Sequence, residues 1–379
     1  MVFFIPSAQF SGPEKINSDG PWIMPAIRKC RSLTLMPLLF GCMAWVGAAP
    51  TPKALTGRIV FEHAPDDSAP WPTTDIYSVN ADGTELRALT NDGHSYGPSW
   101  SADGRYILYI HDTTWPSHLP AQHLRIDDKK WLSHAFSELY VMDSDGENAH
   151  LFRQLDGRVQ AAALSPDGKT LAFDGVEPGA DGESVLGFFL IPVPGQGKPH
   201  RLFRVPSGPA WWGQAWGPAW SPDGKKVAFA VQAPKNVYDG DLAIVVADAD
   251  GSHQIEVTNP DHIQGAYSPA WSPDGRQIAF DAFAGRNNRQ QIFVMHADGS
   301  NIRQLTSDTQ WQCWHPTWSP DGNEMAFCCR PETAPCPSGG NDRRGCVRRI
   351  FVMSLTDPNA KPIQITQHDG ANPVFAPVE

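Results

Sequence analysis

The stretch AWSPDGRQIAF, residues 270–280, decides the fold because the chain repeats it. Its counterparts are SWSADGRYILYI from Ser99, ALSPDGKTLAF from Ala163, AWSPDGKKVAF from Ala219 and TWSPDGNEMAF from Thr317. The serines stand at 101, 165, 221, 272 and 319, spaced by 64, 56, 51 and 47 residues. Self-similarity at such a period marks propeller blades or a solenoid, and the excess over the ~40 to 45 residues of a bare four-stranded blade goes to loops.

Within each copy the local chemistry reads as a hairpin. Asp-Gly between apolar runs is a strong turn signal, because Gly accepts positive φ freely. After the turn, Ile107 and Tyr109, Leu171 and Phe173, Val227 and Phe229, Ile278 and Phe280, and Met325 and Phe327 alternate with period two, which predicts half-buried strands. The recurring Ser and Asp of the turn are expected to serve local backbone hydrogen bonds rather than catalysis.

A second hairpin follows each first one, from Asp75, Glu138, Asp241, Gln291 and Arg349, with a looser version from Gly187. Two hairpins make four strands, which is one blade. The chain ends in NPVFAPVE, where Pro373 and Phe375 repeat the spacing of Pro316 and Trp318, and begins its repeats with GRIVFEH, where Ile59 and Phe61 match Ile278 and Phe280. The last strand is therefore expected to pair with the first unit, closing the ring and removing exposed edges. The predicted fold is all-β: a six-bladed β-propeller of four-stranded antiparallel blades, closed by its N- and C-terminal strands.

The pattern Pro-x-Trp-Ser-Pro-Asp-Gly-x-x-Ile-Ala-Phe, followed by Ile-Phe-Val-Met and Leu-Thr, resembles the TolB-type six-bladed propeller repeat of bacterial envelope proteins over residues 57–379. The resemblance implies fold and an envelope setting, but not a particular function. TolB-type proteins carry an α/β domain ahead of the propeller, whereas residues 1–74 here read as a candidate signal and one strand. The repeat is also similar to the propellers of oligogalacturonate lyases and of prolyl-oligopeptidase-type peptidases. No G-x-S-x-G elbow occurs to supply the nucleophile of the latter.

Composition narrows the class. Hydrophobic residues make up 41% and charged ones 19%, which suits a soluble globular chain and excludes a polytopic membrane protein. The 33 Gly and 35 Pro favour short strands over long helices. A net charge of -11 argues against a nucleic-acid partner and against basic-patch binding to anionic lipid. Arg28, Lys29 and Arg31 precede the apolar run SLTLMPLLFGCMAWVGAA, so residues 24–48 are expected to be a cleaved signal peptide, and 1–23 an extension from an early start codon. The run is short for a bilayer span. A periplasmic or secreted location follows, with lipid anchoring at Cys42 of Leu39-Phe40-Gly41-Cys42 as the lesser option.

The mature cysteines gather in one unit. In an exported chain they predict disulfides, Cys336 with Cys346 and Cys313 with Cys328 or Cys329. Aromatic residues in the loops between blades suggest a binding face at the channel mouth: Trp211, Trp212 and Trp216 in one connection, Trp311, Trp314 and His315 in another, joined by His94 and Tyr267. His94, His262, His315 and His368 stand at unequal distances from their strand-end aromatics, so no metal and no cofactor are expected. Long loops over 111–137 and 328–348 would carry recognition.

The resulting expectation is an exported, non-catalytic binding or scaffold protein of the bacterial envelope, recognising a peptide, protein or glycan on its loop face, with the oligomeric state open. A carbohydrate-active enzyme of the oligogalacturonate-lyase type, working through His315, His94 and loop arginines at the channel mouth, is the alternative. A third reading is a structural partner whose acidic surface docks on a basic protein.

Overall fold

The computed structural model describes residues 55–64, 74–111, 136–156, 159–178, 184–193, 199–204, 215–232, 242–258, 263–284, 289–308, 310–331 and 348–377. Blade one holds β1 (Arg58–His63), β2 (Asp75–Asn80) and β3 (Arg87–Ala88). Blade two holds β4 (Ser95–Trp100), β5 (Tyr106–His111), β6 (Phe136–Asp143) and β7 (His150–Asp156). Blade three holds β8 (Val159–Leu164), β9 (Thr170–Pro178), β10 (Ser184–Pro192) and β11 (His200–Arg204). Blade four holds β12 (Ala215–Trp220), β13 (Lys226–Gln232), β14 (Leu242–Asp248) and β15 (Ile255–Glu256). Blade five holds β16 (Gln264–Trp271), β17 (Gln277–Ala284), β18 (Arg289–His296) and β19 (Arg303–Gln304). Blade six holds β20 (Trp311–Trp318), β21 (Glu324–Pro331), β22 (Arg349–Ser354) and β23 (Ile363–Gln364), and the chain ends with β24 (Ala371–Phe375).

These strands form six antiparallel four-stranded sheets, and β24 is the innermost strand of blade one, in the order β24-β1-β2-β3. Ile59 pairs with Phe375 and Val60 with Val374, so the two ends of the propeller close one blade. The inner strands β4, β8, β12, β16, β20 and β24 each touch the next, and β24 touches β4. The ring is complete.

The turn chemistry explains the repeat. In all five Ser-x-Asp-Gly turns the serine hydroxyl donates to the aspartate at 2.6 to 2.7 Å, and the same hydroxyl accepts a backbone N–H five residues on. Gly275, at φ 69°, holds the left-handed position that a side chain would strain. Four threonines, Thr90, Thr258, Thr306 and Thr366, accept the N–H of a third-strand isoleucine and fasten the outer segment to each blade.

The second strands are buried on both faces rather than on one. The cause is stacking: the apolar core lies between blades, as six clusters that each draw from two neighbours. Phe280 packs toward blade four while Ala279, on the other face of β17, packs toward blade six. The strand-end tryptophans bridge the same seams, donating Nε1–H to the inner strand of the preceding blade: Trp100 to Val374, Trp220 to Ala163 and Trp318 to Ala270, at 3.1 to 3.2 Å.

Face alternation also settles the partner of Cys313. Cys329 stands opposite Cys313 in the β20/β21 register with 4.1 Å between Cα atoms, and the two form a disulfide. Cys328 points to the other face, against blade one, and is a free buried thiol, so its pairing with Cys313 is corrected. Cys336 and Cys346 lie outside the described residues, as do residues 1–54 with the signal segment and Cys42.

Candidate functional site

The inner strands do not run straight. Pairing shifts inside β4, β12, β16 and β20, and on β1 where it meets β24. At each shift one residue before proline turns left-handed: Gly97, Gly217, Ser268, His315 and Asn372, with φ from 28° to 61°. Three of these are not glycine, which is uncommon outside special sites. A bulge takes backbone N–H groups out of the ladder, and a buried one needs another acceptor.

The acceptors come from the second strand of the preceding blade. Glu62 Oε1 takes the Gly97 N–H at 2.8 Å, Asp281 Oδ1 takes that of His315 at 3.2 Å, and Asp174 takes that of Gly217. Cys328 occupies the same place in blade six, where its thiol takes the Asn372 N–H. In blade two the matching residue is Ile110, which offers no acceptor. There the bulge N–H of Ala161 goes instead to Asp174 of its own blade, at 2.6 Å. Buried carboxylates thus alternate around the ring on blades one, three and five.

Burial dominates their electrostatics. Asp174 and Asp281 are each 1% exposed. Desolvation pushes both carboxyls up to about 7, and the N–H groups aimed at them pull in the opposite direction. Burial likewise pushes the Cys328 thiol up to about 12, so it is not a reactive thiolate. At Arg348, directly before β22, burial opposes the charge, but the Asp369 carboxylate outweighs it and holds the guanidinium above its ordinary value. That pair is forked, with Nη2 to Oδ2 at 2.8 Å and Nε to Oδ1 at 3.2 Å.

Around Asp281 the side chains form one connected patch. Ser268 bonds to Asp281, and its Oγ lies 3.0 Å from His315 Nδ1. Gln290 Nε2 donates to Asp281 Oδ2 at 3.3 Å, and the Trp314 indole N–H donates to Gln290. Arg330 stacks over the Trp314 ring at 5.4 Å and donates to Gln312 at 3.5 Å. Gln290 is the second residue of β18 and Arg330 the last but one of β21, so the patch borders the ends of the blades that carry the connections between second and third strands. Despite its Ser, His and Asp, this is not a nucleophile's geometry. The carboxylate contacts the serine hydroxyl and a backbone N–H, whereas an orienting acid would hold the imidazole's second nitrogen. What the patch offers is donors, acceptors and a cation-backed ring, the means of binding.

The expected binding residues fare differently. Trp314, His315 and Tyr267 lie on adjacent inner strands, and Tyr267 packs edge-on to Phe283 at 6.1 Å. Trp311 is a packing residue, edge-on to Phe351 at 5.2 Å with its carbonyl accepting from Gln291. His94 is separate, on blade two's approach, with its ring 6.1 Å from His111. Trp216 is in β12, but its side chain lies outside the described residues, as do Trp211 and Trp212 altogether. Sequence reasoning missed Asp281, Gln290, Arg330 and Ser268. The signal was there: a polar residue directly after the Ala-Phe of a buried strand, as in Phe280-Asp281 and Phe173-Asp174. Among the described residues no cluster of His, Cys, Asp or Glu is placed to hold a metal, and no helix is long and apolar enough to cross a membrane.

Comparison with known proteins agrees with this architecture. The family described as "TolB beta propeller domain" matches residues 205–336. The Tol-Pal system protein TolB of Actinobacillus succinogenes is 37% identical over 82 residues, 22% of this chain and 17% of that protein, so the match spans under a fifth of the relative. Among solved structures, TolB from Acinetobacter baumannii superposes with a TM-score of 0.59 at 17% identity, over 86% of this chain and 68% of that one. A putative TolB from Agrobacterium tumefaciens gives 0.54 at 20% identity, over 84% and 91%. At such identities the structural likeness speaks for the fold.

Proposed function

We propose, from the premise that this chain is a TolB-like six-bladed propeller, that it is an exported binding or scaffold protein of the bacterial envelope that grips a protein or peptide at its channel mouth. The observation that carries the reading is the patch of Ser268, Gln290, Trp314, His315 and Arg330, which is built for contact and lacks a nucleophile's geometry. A glycan would use the same ring and amides. The Tol-Pal name of the curated relative supports an envelope protein as the partner. Export is supported by the segment 24–48 and by the Cys313–Cys329 disulfide, a bond that persists in oxidising compartments.

The test is affinity capture from envelope extract with the full chain, beside a variant carrying His315→Ala and Arg330→Ala. The expected result is an envelope protein recovered by the parent and lost by the variant. Equal recovery by both would remove the channel mouth from the reading.

A further inference from the structure

Between blades four and five, a groove of about 560 Å³ opens among the hairpin turns, the opposite end of the blades from the channel-mouth patch. Its floor is apolar, made by the Trp271 ring, Val246 and Val257, with Pro222 and Pro273 as walls and Ile255, 60% exposed, at the lip. That volume is in the range of built ligand sites.

The groove exists because one side chain is small. At the next seam, between blades five and six, Trp318 is only 8% exposed, and Leu355 and Ala360 pack into the cluster that holds it. Leu355 has a structural counterpart in blade five: its N–H bonds to the Asn323 carbonyl, just as the Ala297 N–H bonds to that of Arg276. Ala297 thus stands where blade six has leucine, and Trp271 keeps an open face. The Trp271 N–H also has no acceptor, although Trp100, Trp220 and Trp318 each donate across their seam.

The rim is acidic. Asp223, Asp274 and Asp298 line it, and hydrogen bonds from the hydroxyls of Ser221, Ser272 and Ser300 hold all three below the usual carboxylate range, so they are charged at neutral pH. Lys226 is matched by Asp248 at 2.8 Å, and Lys225 and Arg276, both largely exposed, stand 3.6 Å from Asp223 and 4.0 Å from Asp274, so four carboxylates outnumber three cations and the rim keeps a net negative charge. We infer that this groove is a second docking site, which takes an extended peptide segment with an aliphatic side chain flanked by Lys or Arg. The aliphatic group would cover Trp271 and Val257, and the cations would meet Asp298 and compete with the exposed Lys225 and Arg276 for Asp223 and Asp274.

The experiment uses the full chain and a fluorescent Lys-Leu-Lys-Leu-Lys-Leu-Lys peptide, with the Glu-for-Lys version as control, read by anisotropy. Binding of the lysine peptide, weakening with added salt, is expected, and none of the glutamate peptide. Ala297→Leu, which fills the groove as Leu355 does next door, should raise Kd about tenfold, or ~1.4 kcal/mol, with an unchanged melting temperature. If Ala297→Leu melts lower than the parent, the surface change Ile255→Ser decides in its place, with a rise of about threefold or more expected. No binding of the lysine peptide, equal binding of both peptides, or a smaller rise in the deciding variant would overturn the inference. The His315→Ala and Arg330→Ala pair should leave this binding intact, which separates it from the channel-mouth reading.

Discussion

Asp281 accepts the backbone N–H of His315 at 3.2 Å across the boundary between blades five and six, and through it a left-handed, non-glycine residue is held at the channel. The contact ties together a bulge in β20, the burial of β17 and the patch proposed to bind. It is also one member of a set, with Glu62 to Gly97, Asp174 to Gly217 and Cys328 to Asn372. Each member links one blade to the following one.

Replacing Asp281 with leucine adds bulk at a buried site and leaves the His315 N–H and Ser268 hydroxyl without their acceptor. An unsatisfied buried group costs about 1 to 3 kcal/mol. Calorimetry should show a lower melting temperature for Asp281→Leu, with Asp281→Asn recovering much of the loss because its carbonyl can still accept. Identical melting of all three proteins would show the clamp to be dispensable.

The same burial gives a pH dependence of definite sign. Asp174 and Asp281 ionise at about 7 when folded and near 3.8 when not, so the folded protein holds protons that the unfolded chain has released. Their contribution to stability is full below about 4 and is lost as pH rises through 7. Denaturant midpoints should fall across that window, and the Asp174→Asn, Asp281→Asn double variant should flatten the slope. A parent-like slope in the double variant would assign the dependence to other groups.

The Cys313–Cys329 bond closes a loop with a sequence separation of 16. Loops of that size contribute about 3 kcal/mol. Cys313→Ser with Cys329→Ser should therefore unfold at lower temperature, insensitive to reductant, while the parent falls toward it when reduced. In peptide mapping of the native protein, Cys328 should resist alkylation until denaturant is added, since its thiol is buried and remains protonated. Prompt labelling of Cys328 would contradict its assigned face.

Ring closure can be tested directly at β24. Phe375 is 5% exposed and pairs with Ile59, and truncating a buried phenylalanine costs about 3 to 5 kcal/mol. Phe375→Ala should lower stability by that order, and deletion of 371–379, which strips blade one of its inner strand and exposes β1, should abolish cooperative unfolding. A deletion variant that still melts in one sharp transition would mean that the circle closes without its last strand.

The sequence by itself determined the blade count, the hairpins and the closure, because these rest on short-range rules: Asp-Gly turns, alternation along a strand, and a unit that recurs. Five copies of one phrase and two incomplete ends left a single arrangement. The tertiary structure alone decided which side chains meet. That Cys313 takes Cys329 and not Cys328 depends on which face of β21 looks toward which neighbour, and that Trp311 packs between blades five and six while Trp314 packs toward blade one with its edge in a polar patch depends on how the three blades stack. The positive φ of Ser268 was equally hidden, and at His315 and Asn372 the mild preference of His and Asn for the left-handed region is too weak to locate it from sequence. The bulges at Gly97, Gly217, His315 and Asn372 are held by acceptors from the adjoining blade, 34 to 44 residues earlier in the chain, and such contacts come into being only once the ring has formed.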